Sequence, residues 1–116
     1  VLMNLLCNYQ GYRGCNLILV FDAYKVPQNL GTVEKYHNIF IVYTQEAETA
    51  DSYIERVTYE LRGRKKVRVA TSDNLEQLII LGHGAVRVSA KSFHDEVMQT
   101  QQEIERVIAQ NNQKSK

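Results

Sequence analysis

The chain has one proline, six glycines and two cysteines among 116 residues, and no long hydrophobic run. Scarce proline and glycine with 44% hydrophobic residues exclude collagenous and disordered compositions, so a folded domain is expected. The longest apolar stretches, Leu17 to Phe21 and Leu78 to Leu81, fall far short of the roughly 20 residues a membrane-spanning helix needs, so no membrane partner is expected. Cys7 and Cys15 match neither a zinc spacing nor a redox pair, and reduced thiols in a cytoplasm are the expectation. Charge of one sign is also lacking, because 14 basic residues meet 13 acidic ones.

Locally the charges separate. The segment Gln45 to Glu55 carries Glu46, Glu48, Asp51 and Glu55 with no base, whereas Arg62, Arg64, Lys65, Lys66 and Arg68 follow with no acid between them. The length fits a single domain, expected over 1–112 with a frayed tail at 113–116.

Leu2, Leu5, Leu6 and Tyr9 recur at helical spacing, and Gly11 is a plausible stop near Gln10. Leu17 to Phe21 reads as a strand buried on both faces, ending at Asp22. The polar stretch from Ala23 to His37 reads as a long loop, and Asn38 to Tyr43 as a second strand. Thr49 has N-cap character, Ser52-x-x-Glu55 resembles a capping box one turn later, and Ile54, Val57 and Leu61 share a helical face before Gly63. Val67 to Thr71 predicts a third strand, Asp73 to Gly82 a helix, and Ala85 to Val88 a fourth strand. Ser89 can cap a last helix with the stripe Phe93, Val97, Ile104 and Ile108, interrupted at Gln101. Strands alternating with helices predict an α/β three-layer sandwich with a mainly parallel sheet.

In such a sheet the carboxyl ends of the strands gather ligands. Asp22, Asp51 and Asp73 would meet there, with Glu48 and Glu55 beside them. Clustered carboxylates repel unless a hard divalent cation lies between them, and Mg²⁺ or Mn²⁺ suits an all-oxygen set. Such an ion can activate water against a phosphodiester, while the basic run would hold phosphates. Taken singly the signals are weak. Asp51 and Asp73 are good helix-start residues whatever the function, Asp22 could begin a turn, and the bases could solvate a helix end. His37, His83 and His94 read as surface or packing residues, and the tyrosines as core.

Together, Val20-Phe21-Asp22-Ala23, Val42-Tyr43-Thr44 through Glu48-Thr49-Ala50-Asp51-Ser52-Tyr53-Ile54-Glu55 and Val69-Ala70-Thr71-Ser72-Asp73 with Glu76-Gln77 resemble the YacP-like branch of the NYN domains, within the PIN-like nuclease superfamily. The likeness extends from Tyr9-Gln10-Gly11-Tyr12-Arg13-Gly14 to the Ser89 helix start. It implies a Rossmann-like sandwich whose acids hold Mg²⁺ or Mn²⁺ for endonucleolytic cleavage of RNA, and in bacteria a link to messenger RNA on the ribosome. Carried over by position, Asp22, Asp51 and Asp73 would be the metal-site acids. Glu48 and Glu55 would stand in an outer shell, and Thr71, Ser72 and Asn74 would orient ligands or water. Arg13, Arg62, Arg64, Lys65, Lys66 and Arg68 are candidate phosphate contacts outside the family assignment.

Family members begin with an apolar strand ending in an aspartate of an Asp-Gly-Tyr-Asn-like stretch, and this chain shows none. It opens inside a helical pattern at Val1-Leu2-Met3, which favours an upstream cut. The chain as written is thus expected to lack the first central strand, bind metal poorly and cleave slowly or not at all. The competing reading is a catalytically inactive RNA- or ribosome-binding module. A nucleotide domain of another doubly wound family is a weaker third, because no Gly-rich phosphate loop is present.

Overall fold

A computed structural model describes residues 2–23, 27–28, 30–71 and 82–114. In chain order the elements are α1 (Leu2–Arg13), β1 (Ile18–Phe21), β2 (Thr32–Tyr36), β3 (Ile39–Tyr43), α2 (Ala50–Leu61), β4 (Arg68–Ala70), β5 (Val86–Val88) and α3 (Ala90–Lys114). The helix expected from Asp73 lies outside the described residues, apart from its end at Gly82.

The architecture is mixed α/β, but the described strands make two small sheets, not one mainly parallel sheet. The first has the order β1-β3-β2, with β1 parallel and β2 antiparallel to β3, and the second pairs β4 with β5 in parallel. Strand β2 corrects the expected loop. Its register, Tyr36 opposite Ile39 and Thr32 opposite Tyr43, makes a hairpin whose tight turn places His37 at φ 52°. Four of its five residues are exposed, so backbone pairing to β3 defines this edge strand and no burial stripe announces it.

Strand β3 is the spine of the core. Ile39 is fully buried against Leu6 and Tyr9 of α1 and Val97 of α3, with Leu17, Leu19, Tyr36 and Phe93 packed around them. Helix α1 runs one turn past the expected stop. Gly14, at φ 71°, ends it by donating its N–H to the Gln10 carbonyl at 2.7 Å, whereas Gly11 stays helical. The stripe of α3 is Phe93, Val97, Thr100 and Ile104, because Thr100 is fully buried while Ile108 is 53% exposed. The hydroxyl of Thr100 accepts from Arg13 Nη2 at 3.0 Å, which allows a polar group inside the stripe. Ser89 caps α3 by accepting the Ser92 N–H at 3.1 Å, and the helix continues through Lys114, past the boundary expected at 112.

Among the described residues the second sheet has the smaller buried centre. Val69 and Ala85 form its buried centre, covered by Ile54 of α2 and by Val67. Helix α2 touches both sheets, since Ala50 in its first turn bonds Asp22 just past β1 and Ile54 packs against Val69 and Ala85. Both cysteines are free thiols. Among the described residues no helix is long and apolar enough to cross a membrane.

Candidate active site

Asp22 follows β1 directly, and its carboxylate accepts a hydrogen bond from the backbone N–H of Ala50, the first residue of α2. That N–H is one of the unsatisfied donors of a helix start, and the positive end of the helix dipole favours the carboxylate. Thr49 caps the same helix with its Oγ1 on the Ser52 N–H at 3.0 Å. Because Thr49 already takes that donor, Ser52 lies within the first turn and the Ser52-x-x-Glu55 capping box does not form the helix start. Asp51 sits in this first turn, so Asp22 and Asp51 come to one rim from different elements.

Thr44, to which the sequence assigned no role, fixes the chain on either side of Asp22. It is 1% exposed, its hydroxyl accepts the Ala23 N–H at 2.9 Å, and its own N–H donates to the Phe21 carbonyl at 3.1 Å. The signal was a threonine placed immediately after an apolar strand.

The other acids diverge. Glu48 pairs with Arg56 at 3.1 Å, and Glu46 accepts the Gln28 N–H at 2.8 Å. Glu55 is half-buried one turn after Asp51. Thr71 stands just past β4, with its N–H donating to the Val88 carbonyl at 3.2 Å. Ser72, Asp73 and Asn74 lie outside the described residues.

The bases are not beside the acids. Helix α2 has 12 residues and so spans about 18 Å, with Asp22 and Asp51 at one end and Arg62, Arg64, Lys65 and Lys66 at the other. Arg64, Lys65 and Lys66 are exposed in the turn before β4. Arg62 lies 3.6 Å over the Tyr59 ring and donates to the Tyr59 carbonyl at 2.8 Å. Two expected phosphate contacts have structural duties. Arg13 bonds Thr100 and lies near the Tyr9 and Tyr12 rings, at 5.9 and 5.8 Å. Arg68 holds Glu96 with both terminal nitrogens at 3.1 Å, and the Tyr9 hydroxyl donates to the same carboxylate. The hydrogen bonds from Arg68 and then Tyr9 hold the Glu96 carboxyl below its ordinary range. Burial, followed by the bond to Glu96, pushes the Tyr9 phenol up, and the bond to Glu96 also raises Arg68. Sequence spacing did contain one unused signal, Tyr53-x-x-Arg56 followed by Tyr59-x-x-Arg62.

Residues 1–116 match the YacP-like NYN domain. The chain belongs to that family. It is 39% identical over 109 residues to the protein YacP of Bacillus subtilis (strain 168), covering 93% of this chain and 64% of YacP. The crystal structure of Rae1 (YacP) from Bacillus subtilis superposes with a TM-score of 0.79 at 34% identity, covering 98% of this chain and 66% of that one. Its W164L mutant gives a TM-score of 0.81 at 34% identity, covering 97% and 65%. The chain therefore spans slightly under two thirds of these relatives.

NYN domains are generally nucleases, and the rim supplies the type of donor such chemistry uses. Carboxylate oxygens at Asp22 and Asp51 suit a hard divalent ion better than zinc. Among the described residues, however, no three histidine, cysteine, aspartate or glutamate side chains are grouped to hold one. The described donors alone do not make a metal site.

Proposed function

We propose that this NYN domain is a metal-dependent endoribonuclease whose centre is built on Asp22, Asp51 and Asp73, with Mg²⁺ or Mn²⁺ as cofactor. The observation that carries the reading is the Asp22 carboxylate bonded to the first N–H of α2, one residue from Asp51, in a chain of a generally nucleolytic family. When bound, the ion would neutralise charge developing on a phosphodiester and make a bound water more acidic. The chain's own part is to present acceptor oxygens from a clamped strand end and a capped helix start. Glu48, Glu55, Thr71, Ser72 and Asn74 are proposed to orient ligands or water around them. The proposal includes a PIN-like three-layer sandwich, in which one further strand joins the two described sheets along β1 and β4, each at an edge among the described strands. It also includes a cytoplasmic setting with RNA as partner, including messenger RNA on the ribosome.

The test is cleavage of labelled RNA by this chain and by the protein extended upstream, with Mn²⁺ or with EDTA, and after Asp22→Asn or Asp73→Asn. Metal-dependent fragments that disappear in both variants are expected from the extended protein. Cleavage surviving EDTA and both substitutions would reject the assignment.

A second reading is an inactive RNA- or ribosome-binding module. It is favoured by the distance of about 18 Å that α2 puts between the basic turn and the acids, because that turn can hold phosphates without any metal. RNA binding indifferent to metal, with no fragments from either protein, selects it.

A further inference from the structure

Strand β2 uses one side of its main chain and turns the other outward. Along β3, the N–H groups of Phe40 and Thr44 donate towards β1, to the carbonyls of Leu17 and Phe21 at 3.0 and 3.1 Å. Successive residues of a strand turn their main-chain groups to opposite sides, so Ile39, Ile41 and Tyr43 face β2, where their partners are Tyr36, Glu34 and Thr32. The N–H and carbonyl groups of Val33 and Lys35 therefore point away from β3, and no described strand pairs with that edge. Leu30 and Val33, exposed by 90% and 67%, are the two most exposed large hydrophobic side chains among the described residues. Both line a pocket of about 220 Å³ together with Val42, Tyr53 and the ion-paired Glu48 and Arg56.

We propose that the free edge of β2 is a docking site for an extended peptide segment of a protein partner, added antiparallel to β2 with an apolar side chain at the pocket. Only a polypeptide in extended form supplies alternating N–H and carbonyl groups at the spacing that Val33 and Lys35 present. Main-chain bonds are indifferent to sequence, so the side chains make the selection. A residue opposite Val33 lies on the face that Val33 shares with Val42 and the pocket, which an apolar side chain fills. Glu34 and Lys35 are exposed and form no ion pair among the described residues. A basic residue opposite Glu34 and an acidic one opposite Lys35 thus meet complementary charge, and a like charge at either place is repelled. A second copy of the chain fits worse, because antiparallel pairing over the full strand sets Glu34 against Glu34 and Val33 against Lys35. The site uses none of the rim acids Asp22 and Asp51 and stands or falls independently of RNA cleavage.

The test is NMR titration of the chain with the peptide acetyl-Thr-Glu-Lys-Val-Thr-amide at millimolar concentration. Paired antiparallel, it sets valine opposite Val33, lysine opposite Glu34 and glutamate opposite Lys35. Amide exchange at Val33 and Lys35 is expected to slow, while exchange at Thr32, Glu34 and Tyr36, already bonded to β3, stays unchanged. Lys35→Pro removes an outward N–H that the sheet does not use, and is expected to weaken binding about tenfold, the scale of one hydrogen bond. Lys35→Gln keeps that N–H and should weaken binding by less than about fivefold, the scale of an exposed ion pair. Circular dichroism melts confirm that both variants fold. Unchanged exchange at Val33 and Lys35 would overturn the site, as would equal binding by Lys35→Pro or by the peptide with glutamate in place of its lysine. Exchange that slows at these two amides without peptide, as the mass rises with concentration towards twice 13.4 kDa, would give the edge to a second copy and overturn the peptide site as well.

Discussion

The two sheets are built on different principles. The β1-β3-β2 sheet is held by volume, with Ile39 fully buried between α1 and α3. Among the described residues the β4-β5 sheet has Val69 and Ala85 at its buried centre with Ile54 of α2 packed against them, and it also reaches the remainder through polar contacts. Arg68 reaches Glu96 on α3, and the hydroxyl of Thr58 on α2 meets His83 Nδ1 at 2.9 Å. One half of the fold depends mainly on its packed core. The other is open to changes in charge and solvent.

The largest difference should come from matched truncations. Ile39→Ala is expected to cost about 2–5 kcal/mol, the range for a large aliphatic side chain removed from a packed core. Val69→Ala removes two methyl equivalents from the smaller buried centre and should cost about 1–2 kcal/mol. Urea melts of both variants check the ranking, and a Val69 cost equal to that of Ile39 would mean that the second sheet shares the first one's core.

Next in size is Thr44→Val, which preserves shape and removes the acceptor for the Ala23 N–H. Loss of this part-buried hydrogen bond is expected to cost about 0.5–1.5 kcal/mol. Since Thr44 adjoins Asp22 through that bond, the variant should also weaken RNA cleavage by the extended protein more than its loss of stability explains. Unchanged cleavage in a folded variant would show that Asp22 is positioned by Ala50 alone.

What was legible in the sequence follows the same division. Strands β1 and β3, Thr49 as a cap and the span of α2 all leave local marks, namely apolar runs, a capping threonine and a helical stripe. Strand β2 left none, because an edge strand with exposed faces is defined by its partner and not by burial. Gly11 and Gly14 are both acceptable helix stops locally, and ending at Gly14 keeps Arg13 in α1, where its guanidinium reaches Thr100 on α3. Likewise Thr100, which was not part of the expected stripe, is buried in it with Arg13 as its partner. At the rim, the meeting of Asp22 with α2 followed from strand-end topology. The distance of the basic turn did not, because charges that follow one another in sequence are carried apart by every turn of helix between them.

The smallest effect concerns the junction of Tyr9, Glu96 and Arg68, and it tests whether polar contacts hold the second sheet. Glu96 has its carboxyl depressed by Arg68 and then Tyr9, so folding favours the carboxylate. That stability is complete above the unfolded value near 4.3 and is lost as pH falls through the lower folded value. Tyr9 is raised by burial and by Glu96. Folding favours its protonated phenol, so its contribution is complete below about pH 10 and is lost as pH rises through the higher folded value. The Arg68 side chain is 47% exposed and that of Glu96 29%, so solvent screening keeps the ion pair to about 1 kcal/mol or less. Glu96→Gln should therefore lower the melting temperature only slightly at neutral pH and flatten its decline between pH 5 and pH 3. Amide exchange at Val69 and Ala70 should quicken in the variant while exchange at Ile39 and Ile41 stays slow. Equal acceleration in both sheets would mean that the junction stabilises the whole fold, and the contrast between its halves would disappear.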